Sequence, residues 1–351
     1  MKICYFGIYQ KDYCRNKNII NGLEQNDITV IEVNDTTPGL IKYWYLLKKF
    51  WPVRKSFDVM IVGFPGQIIV PFAKILTRKP VVFDLFVSYY DSIILERKKH
   101  GRYSWQAAYY YFLDFISSHL ADLVLMDTKE HAQYVAKLLF LKEDRVLVIY
   151  HGIDNKLFVS NSISNRTEHS KFIISFHGYI QPLNGMDLVM RALKKLERED
   201  IEVWIIGGGM EYKSTQNLAE ELGLKKVIFY PPMKPVDLVS KVSQADIGLG
   251  FFSLSKKIDR VIANKVYELM ALKIPVLTGE SRATEEHFKH RKHIYYCQKG
   301  SVDAIVEAIL DLKTHKTLRE EISQEAYSYV QENLTPKRLG LSLLTNLEKT
   351  L

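Results

Sequence analysis

Hydrophobic positions along the first part of the chain follow two patterns that alternate. Short runs that are apolar throughout predict strands near 2–7, 28–33, 58–64, 80–86, 122–126 and 145–150. Amphipathic stretches between them predict helices near 15–26, 41–52, 67–76, 105–120 and 129–141. Runs without polar positions, such as Val59 to Val62, are typical of parallel strands covered by helices on both faces. We therefore expect an α/β fold for this part.

A second alternating region follows the polar stretch Ser160 to Ser170, which is typical of a linker between domains. An apolar strand at Phe172 to His177 precedes a helix at 186–196, and a strand at 202–206 runs into three consecutive glycines. Further helices are expected near 301–314, 317–333 and 336–349. The predicted organisation is an N-terminal domain at 1–152, a linker at 153–170, a C-terminal domain at 171–334 and a final helix at 335–351.

Length and composition are those of an ordinary globular protein. With 351 residues the chain exceeds what one core usually organises, so two domains are expected. Three cysteines without metal-site spacing indicate a reducing compartment and no structural zinc. The first apolar run, Lys2 to Gly7, is too short for a signal peptide, and glycines and prolines interrupt the apolar stretch from Val59 to Leu76. We expect a cytoplasmic protein without a membrane span.

The net charge of +8 suits anionic partners such as a phospholipid surface, a polyprenyl phosphate or a nucleic acid. Nucleic acid is the least favoured, because the charge is spread over both domains instead of forming a stripe. Two segments, 40–55 and 97–112, combine basic and aromatic residues. They suit a membrane interface, although a core-facing helix with a basic outer face has the same pattern. We expect peripheral membrane contact on the cytoplasmic face through these segments.

The segment that begins at Asn264 predicts a short amphipathic helix followed by a strand. Asn264 is a suitable N-cap, which places Glu268 in the second turn. A carboxylate there can accept two hydrogen bonds from a vicinal diol such as a ribose. Lys265 lies in the first turn, where the backbone N–H groups and the helix dipole favour an anion. The alternative is that both charged side chains face solvent.

Ligands of parallel sheets bind beyond the carboxyl ends of the strands. Gly7 ends the first strand, and Arg15 opens the next helix, where it could bind a phosphate or be solvated. Asp84 ends an apolar strand, where a carboxylate is costly without a partner. It either caps a neighbouring helix or holds and deprotonates an acceptor hydroxyl. Ser88 and Asp91 follow in the same loop and support the second interpretation.

The string N-K-V-Y-E-L-M-A-L-K-I-P-V-L at 264–277 resembles the donor-site helix of the retaining GT-B glycosyltransferases of family 4, approximately E-(x)7-E-x-M-A-x-G-x-P-V. His151-Gly152-Ile153-Asp154 is similar to the N-G-V-D that closes the first domain in this family. The segments G-Y-I-Q-P-L-N-G, W-I-I-G-G-G, V-I-F-Y-P-P and A-D-I-G-L-G then follow in the family's order. The resemblance implies a GT-B fold, with two Rossmann-like domains facing across a cleft and a last helix that crosses back to the first domain.

By this resemblance the C-terminal domain binds the nucleotide-sugar and the N-terminal domain binds the acceptor. Glu268 corresponds to the glutamate that holds the ribose. The other residues assigned to the donor are Asn264, Lys265, Gly178, Tyr179, Gly207, Gly209 and Arg260. The residues assigned to catalysis are Asp84, Ser88 and Asp91, with Gly7 and Arg15 in the acceptor and phosphate loop.

Two family motifs are altered in this chain. The segment G-R-L-x-x-x-K-G supplies Arg and Lys to the diphosphate, but here Gly178 to Gly185 contains neither basic residue. The first glutamate of E-(x)7-E, which contacts sugar hydroxyls, corresponds to Arg260. Lys265, Arg260, or Lys256 together with Lys257 could supply the missing positive charge.

The resemblance implies a glycosyltransferase that moves a sugar from a nucleotide-sugar to an acceptor with retention of anomeric configuration. On family frequency a UDP-sugar is favoured over a GDP-sugar, and the expected acceptor is a lipid-linked or cell-surface glycan intermediate of polysaccharide biosynthesis. No Asp-x-Asp pair follows a strand in the manner of a metal-bridged diphosphate, so neither a metal nor another cofactor is expected. The alternatives are a non-catalytic GT-B binding subunit and a nucleotide-sugar epimerase or hydrolase.

Overall fold

Residues 1–158 and 171–351 are described by the structure, a computed structural model, and they divide into two compact units. The first unit is Met1–Gly152 together with Leu334–Leu351, and the second is Ile153–Asn333. Each contains a six-stranded parallel sheet with helices, which confirms the predicted α/β class. Most of the linker expected at 153–170 lies outside the described residues.

The first unit is built on a sheet of order β2-β1-β3-β4-β5-β6 in which all neighbours are parallel. Its strands are Lys2–Gly7 (β1), Thr29–Asn34 (β2), Val59–Val62 (β3), Val81–Asp84 (β4), Leu123–Met126 (β5) and Val146–Val148 (β6). Its helices up to this point are Cys14–Glu24 (α1), Ile41–Phe50 (α2), Val70–Leu76 (α3), Trp105–Leu120 (α4) and Lys129–Leu139 (α5).

The central strands of this sheet are buried along their whole length, as their unbroken apolar sequences predict. Phe6, Met60 and Phe83 belong to the core beneath the helices. Helix α3 begins at Val70, later than the predicted 67, with Pro71 in its first turn. Proline lacks an N–H and fits a helix only there, so its position determines where the helix begins.

The second unit has the sheet order β12-β11-β10-β7-β8-β9, again with parallel neighbours. Its strands are Phe172–Tyr179 (β7), Ile201–Gly208 (β8), Val227–Tyr230 (β9), Ile247–Leu249 (β10), Val276–Gly279 (β11) and Tyr295–Cys297 (β12). Its helices are Met186–Lys195 (α6), Tyr212–Glu221 (α7), Pro235–Val242 (α8), Asn264–Ala271 (α9), Arg282–Glu285 (α10), Val302–Thr314 (α11) and Lys316–Asn333 (α12).

The last helix, Pro336–Thr350 (α13), packs against α1 in the first unit. A Cβ on Gly22 or on Gly340 would overlap the backbone of the other helix. Asn26 Nδ2 donates a 2.8 Å hydrogen bond to the carbonyl of Lys337 near the same crossing. Glycine at both positions therefore lets the two helix backbones approach closely.

Helix α9 begins one residue earlier than the predicted N-cap at Asn264 implies. Asn264 was predicted to be the N-cap, but the N-cap is Ala263, whose backbone is extended, and no side chain caps the helix. The prediction for Asn264 was therefore wrong, because this residue already has helical backbone. The first turn lacks the side-chain acceptor that an asparagine N-cap would provide.

The segments 40–55 and 97–112 include α2, the 3-10 turn Trp51–Val53 and the first half of α4. Several of their large apolar side chains are exposed, namely Leu40, Ile41, Trp44, Tyr45, Trp51, Tyr103, Trp105, Tyr109 and Phe112. Within residues 1–158 and 171–351, no helix combines the length and the hydrophobicity needed to cross a bilayer.

Candidate active site

The carboxylate of Glu268, in the second turn of α9, is bound by a histidine from the end of β7. His177 Nε2 lies 2.7 Å from Glu268 Oε2. Because an ionised carboxylate can only accept, the imidazole hydrogen is on Nε2. The His177 side chain is 3% exposed and that of Glu268 is 21% exposed, so the carboxylate remains within reach of a ligand. His177 was not predicted as a site residue, although a polar residue that directly precedes Gly178 at the end of an apolar strand could have indicated it.

Lys265 lies one turn before Glu268 and is buried. Its Nζ is 3.5 Å from the centroid of the Phe176 ring and 5.8 Å from that of Phe251. Burial lowers the pKa of Lys265 to about 7, and the negative charge of Glu268 opposes this shift. An ammonium in such apolar surroundings is costly unless an anion accompanies it.

The glycine turn after β7 faces the Lys265 side chain. Gly178 has a φ of +107°, and the single neighbour that an added Cβ would meet within 4 Å is Lys265 Cε, at 3.8 Å. A side chain would therefore be strained at this position but not blocked by neighbouring atoms. The backbone here is open to a group that approaches beside Lys265.

Gly207 and Gly209 have a structural role that differs from the predicted donor contact. Both have positive φ, and a Cβ on either would overlap the backbone of Gly178 or Ile180. These glycines therefore allow the end of β8 to pack against the end of β7. The missing side chains make room for protein backbone, and the donor contact of these two glycines stays a prediction.

Tyr179 and Arg260 occupy the positions at which the family motifs carry Arg and Glu. Tyr179 ends β7 with 54% of its surface exposed, so its ring can meet a ligand. Arg260 ends the 3-10 turn Ile258–Arg260 and is half-buried. In the same turn Asp259 is paired with Lys299 at 2.5 Å.

In the first unit, Arg15 and Asp84 form a buried ion pair. Arg15 Nη2 is 2.9 Å from Asp84 Oδ1, and Arg15 Nε is 3.1 Å from Oδ2. The guanidinium also donates to the carbonyls of Ile149 and Tyr150. Both side chains are at most 1% exposed. This corrects two predictions: Arg15 holds Asp84 instead of a phosphate, and Asp84 is bound to Arg15 instead of an acceptor hydroxyl.

Ser88 and Asp91 are fully buried and belong to a polar cluster around Asp114 of α4. Ser88 Oγ donates a 2.7 Å hydrogen bond to Asp114 Oδ2 and accepts one from the N–H of Asp91. The N–H of Tyr90 also donates to Asp114. Burial raises the pKa of Asp114 to about 6 although these hydrogen bonds lower it. The predicted catalytic role of Ser88 and Asp91 is corrected: they organise the loop after β4.

Four rings from different loops meet at the carboxyl edge of this sheet. Phe86 stacks on His151 with centroids 5.5 Å apart, and Tyr13 and Phe64 pack against Phe86 at 6.3 and 5.2 Å. Gly7, with a φ of +146°, would meet no atom closer than 3.7 Å if it carried a Cβ. The backbone at Gly7 is therefore approachable, as its predicted place in the acceptor loop requires. No sequence pattern indicated the ring cluster.

Among the described residues there is no group of three or more histidine, cysteine, aspartate or glutamate side chains arranged to hold a metal ion.

A known family model matches most of the second unit. Residues 160–329 match the family model described as Glycosyl transferases group 1. This span includes β7, both glycine turns and α9.

Among curated proteins, the chain is similar to the D-inositol 3-phosphate glycosyltransferase of Mycolicibacterium smegmatis. The two are 32% identical over 139 residues, which cover 36% of this chain and 31% of that protein. The match thus spans about a third of the length of this relative.

Two solved structures match over nearly the whole chain. Anabaena Alr3699/HepE in complex with UDP and glucose has a TM-score of 0.74 and 15% identity, covering 99% of this chain and 100% of that chain. The apo lipopolysaccharide outer core galactosyltransferase WaaB has a TM-score of 0.66 and 14% identity, covering 100% of both chains. The protein therefore has the GT-B fold of these glycosyltransferases, and its residues 160–329 match glycosyl transferases group 1.

Proposed function

We propose that the protein is a retaining GT-B enzyme of family 4 that transfers a sugar from a UDP-sugar to a glycan acceptor. The observation that carries the proposal is the Glu268 carboxylate, bound by His177 and adjacent to the uncapped start of α9. The group 1 match covers this site, and HepE, of the same fold, was solved with UDP and glucose. We favour a UDP-sugar over a GDP-sugar because the nucleotide bound in that HepE structure is UDP.

In this proposal the nucleotide-sugar lies across the carboxyl ends of the second unit's sheet. The ribose diol donates hydrogen bonds to Glu268, whose orientation is set by His177. The diphosphate lies at the start of α9, where the backbone N–H groups and the helix dipole favour an anion. Gly178 allows its approach, and Arg260 and Tyr179 border the same region.

The reaction breaks the bond between the anomeric carbon and the diphosphate oxygen and forms one to the acceptor oxygen. The acceptor hydroxyl gives its proton to the departing diphosphate oxygen, and because attack and departure occur on the same face, the anomeric configuration is preserved. The α9 N–H groups and nearby cations stabilise the charge that develops on the departing diphosphate. The proposal requires no metal or other cofactor, because this charge is met by the chain's own donors.

For the acceptor we propose a lipid-linked or cell-surface glycan intermediate, which the first unit binds from the cytoplasmic side of a membrane. WaaB, which shares the fold, is described as a lipopolysaccharide outer core galactosyltransferase. Trp44 and Trp105 are 60% and 73% exposed on segments that also carry lysines and arginines. Exposed aromatic rings beside basic residues suit the interface of an anionic bilayer.

The experiment is a thermal unfolding titration with UDP, GDP and ADP. A ligand at ~100 times its Kd stabilises the folded state by about 2.7 kcal/mol, which is readily measured as a rise in Tm. We expect UDP to stabilise the wild type and Glu220→Ala, a control on the exposed face of α7, but not Glu268→Ala. Stabilisation by GDP instead would change the donor class.

Absence of stabilisation by any nucleotide would favour a non-catalytic binding subunit, which the loss of Arg and Lys from the segment Gly178 to Gly185 makes reasonable. Conversion of a UDP-sugar without an acceptor would favour an epimerase or hydrolase. Transfer to an acceptor extract, with the α anomer retained from an α-linked donor, supports the proposed reaction.

A further inference from the structure

The ammonium of Lys265 is buried without a hydrogen-bond acceptor among the described residues. The residue is 7% exposed, and its contacts are with the rings of Phe176 and Phe251 and the charge of Glu268. The ammonium therefore lies beside two aromatic rings and donates no hydrogen bond to the described part of the protein. Buried lysines without a hydrogen-bond partner are rare, so a lysine in this position calls for a structural or functional explanation.

Three features place an anion beside this lysine. Helix α9 has eight residues and no capping side chain, so its first N–H groups point outward from the start of the helix. The Gly178 backbone is open on the side of Lys265 Cε. Both basic residues of the family's diphosphate segment are missing between Gly178 and Gly185, so this segment supplies no cation to a diphosphate.

The other charged groups around Lys265 do not accept hydrogen bonds from its ammonium, as a bound anion would. Glu268, on the same helix, is the group whose charge raises the pKa of Lys265, but its Oε2 accepts a hydrogen bond from His177 of β7. Lys257 and Arg260 precede the helix and add positive charge to this region. From β10 and the loop after it, the contact is the uncharged Phe251.

We propose that Lys265 is the residue that binds the donor's diphosphate, and that it does so by taking up a proton from solvent as the nucleotide binds. This inference rests on the proposed function, because it assumes a nucleotide diphosphate at this site. The neutral amine gains one proton and becomes an ammonium that donates hydrogen bonds to phosphate oxygens. When UDP leaves, the same proton returns to solvent.

Burial supports this direction of proton movement. With its pKa lowered to about 7, Lys265 is largely neutral at pH 8 in the unliganded protein. A phosphate anion within hydrogen-bond distance favours the charged form and raises the pKa again. Nucleotide binding at pH 8 should therefore be coupled to the uptake of about 0.9 proton, which is the unprotonated fraction one pH unit above the pKa.

The test is calorimetric titration of the full chain with UDP at pH 8.0 in two buffers of different ionisation enthalpy. The dependence of the heat on the buffer gives the number of protons taken up. Lys265→Arg keeps a permanent positive charge, so it should bind UDP without this uptake. Lys265→Met should lose the uptake and weaken binding at least tenfold, while Lys225→Met, at an exposed position before the amino end of β9, should behave as wild type.

Wild-type uptake equal to that of Lys265→Arg would overturn the proposal, and so would Lys265→Met with unchanged UDP affinity. Loss of uptake in Lys225→Met but not in Lys265→Met would show that the uptake does not belong to Lys265 and would also overturn the proposal. Failure of the wild type to bind UDP at all is a different result: it removes the proposed function, and this inference with it. Thermal unfolding without ligand verifies that each variant is folded.

Discussion

His177 Nε2 lies 2.7 Å from Glu268 Oε2, and this bond joins the end of β7 to the second turn of α9 across 91 residues of sequence. The imidazole is almost fully buried, whereas the carboxylate is partly exposed. A rigid, buried donor of this kind fixes the direction in which the carboxylate presents its oxygens. In the proposed donor site, His177 is thus a positioning residue and Glu268 is the residue that touches the ribose.

We predict that His177→Ala weakens UDP binding by about tenfold or more, because a hydrogen bond to a charged group contributes roughly 1.5–3 kcal/mol and its loss frees the carboxylate to rotate. Glu268→Ala should weaken binding further, since it removes the ribose contact itself. Calorimetric Kd values measure both effects. His315→Ala is the control, because His315 also contacts a carboxylate, that of Asp311, but at an exposed position. An unchanged Kd in His177→Ala would contradict the positioning role.

We predict that Lys265→Met makes the unliganded protein more stable. A lysine is protonated in the unfolded chain up to about pH 10.4, whereas the pKa in the fold is lowered to about 7. The cost of burying the charge is therefore complete below pH 7 and disappears as the pH rises towards 10. Urea unfolding should show a gain of about 1–3 kcal/mol at pH 6.5 and a smaller gain at pH 9. Equal or lower stability at pH 6.5 would show that the ammonium has an internal partner.

We predict that Asp84→Asn destabilises the first unit by about 3–5 kcal/mol, because it leaves the buried Arg15 guanidinium without its counter-charge. The double variant Arg15→Met with Asp84→Leu should recover a large part of this loss, since neither charge is then buried. The unfolding midpoint in urea measures both. Glu197→Gln, in the exposed pair with Lys194, serves as the control and should leave stability nearly unchanged. A stable Asp84→Asn that has lost transfer activity would restore the catalytic interpretation of Asp84.

We predict that Gly340→Ala destabilises the first unit by about 2 kcal/mol or more, because the added methyl overlaps the backbone of α1 at Gly22. The two helices would have to separate, which exposes the apolar residues of α13. Ser342→Ala, at an exposed position of the same helix, is the matched control and should change stability little. Thermal unfolding with tryptophan fluorescence distinguishes them, and equal Tm values would mean that α13 can shift without cost.

We predict that Lys48→Glu with Lys55→Glu reduces binding to anionic phosphatidylglycerol vesicles by about tenfold or more, since each basic residue near such a surface contributes roughly 1 kcal/mol. These two are chosen because Lys49 is already paired with Asp35 at 2.9 Å and Arg54 lies over the Trp51 ring. Lys337→Glu with Lys349→Glu gives the same charge change on α13. Equal loss in both double variants would indicate net charge alone, and no loss in either would exclude this surface.

The order of strands and helices could be read from the sequence, because hydrophobic periodicity is a local property of each segment. The predicted α4 agrees with Trp105–Leu120, and the string at 264–277 identified Glu268 without any structure. Lys265 was likewise a candidate from its place in the first turn. The errors in predicted secondary structure were shifts of a few residues at the ends of helices, such as the N-cap role given to Asn264.

Only the tertiary structure determined which side chains from distant parts of the sequence contact each other. The sequence marked Asp84 and Arg15 separately but could not show that they face each other, and it did not single out His177 or Asp114. A polar residue at a strand end looks the same whether it meets a ligand or another side chain. Which of the two it meets depends on how neighbouring strand ends and helices pack, and that packing brings together residues far apart in the chain.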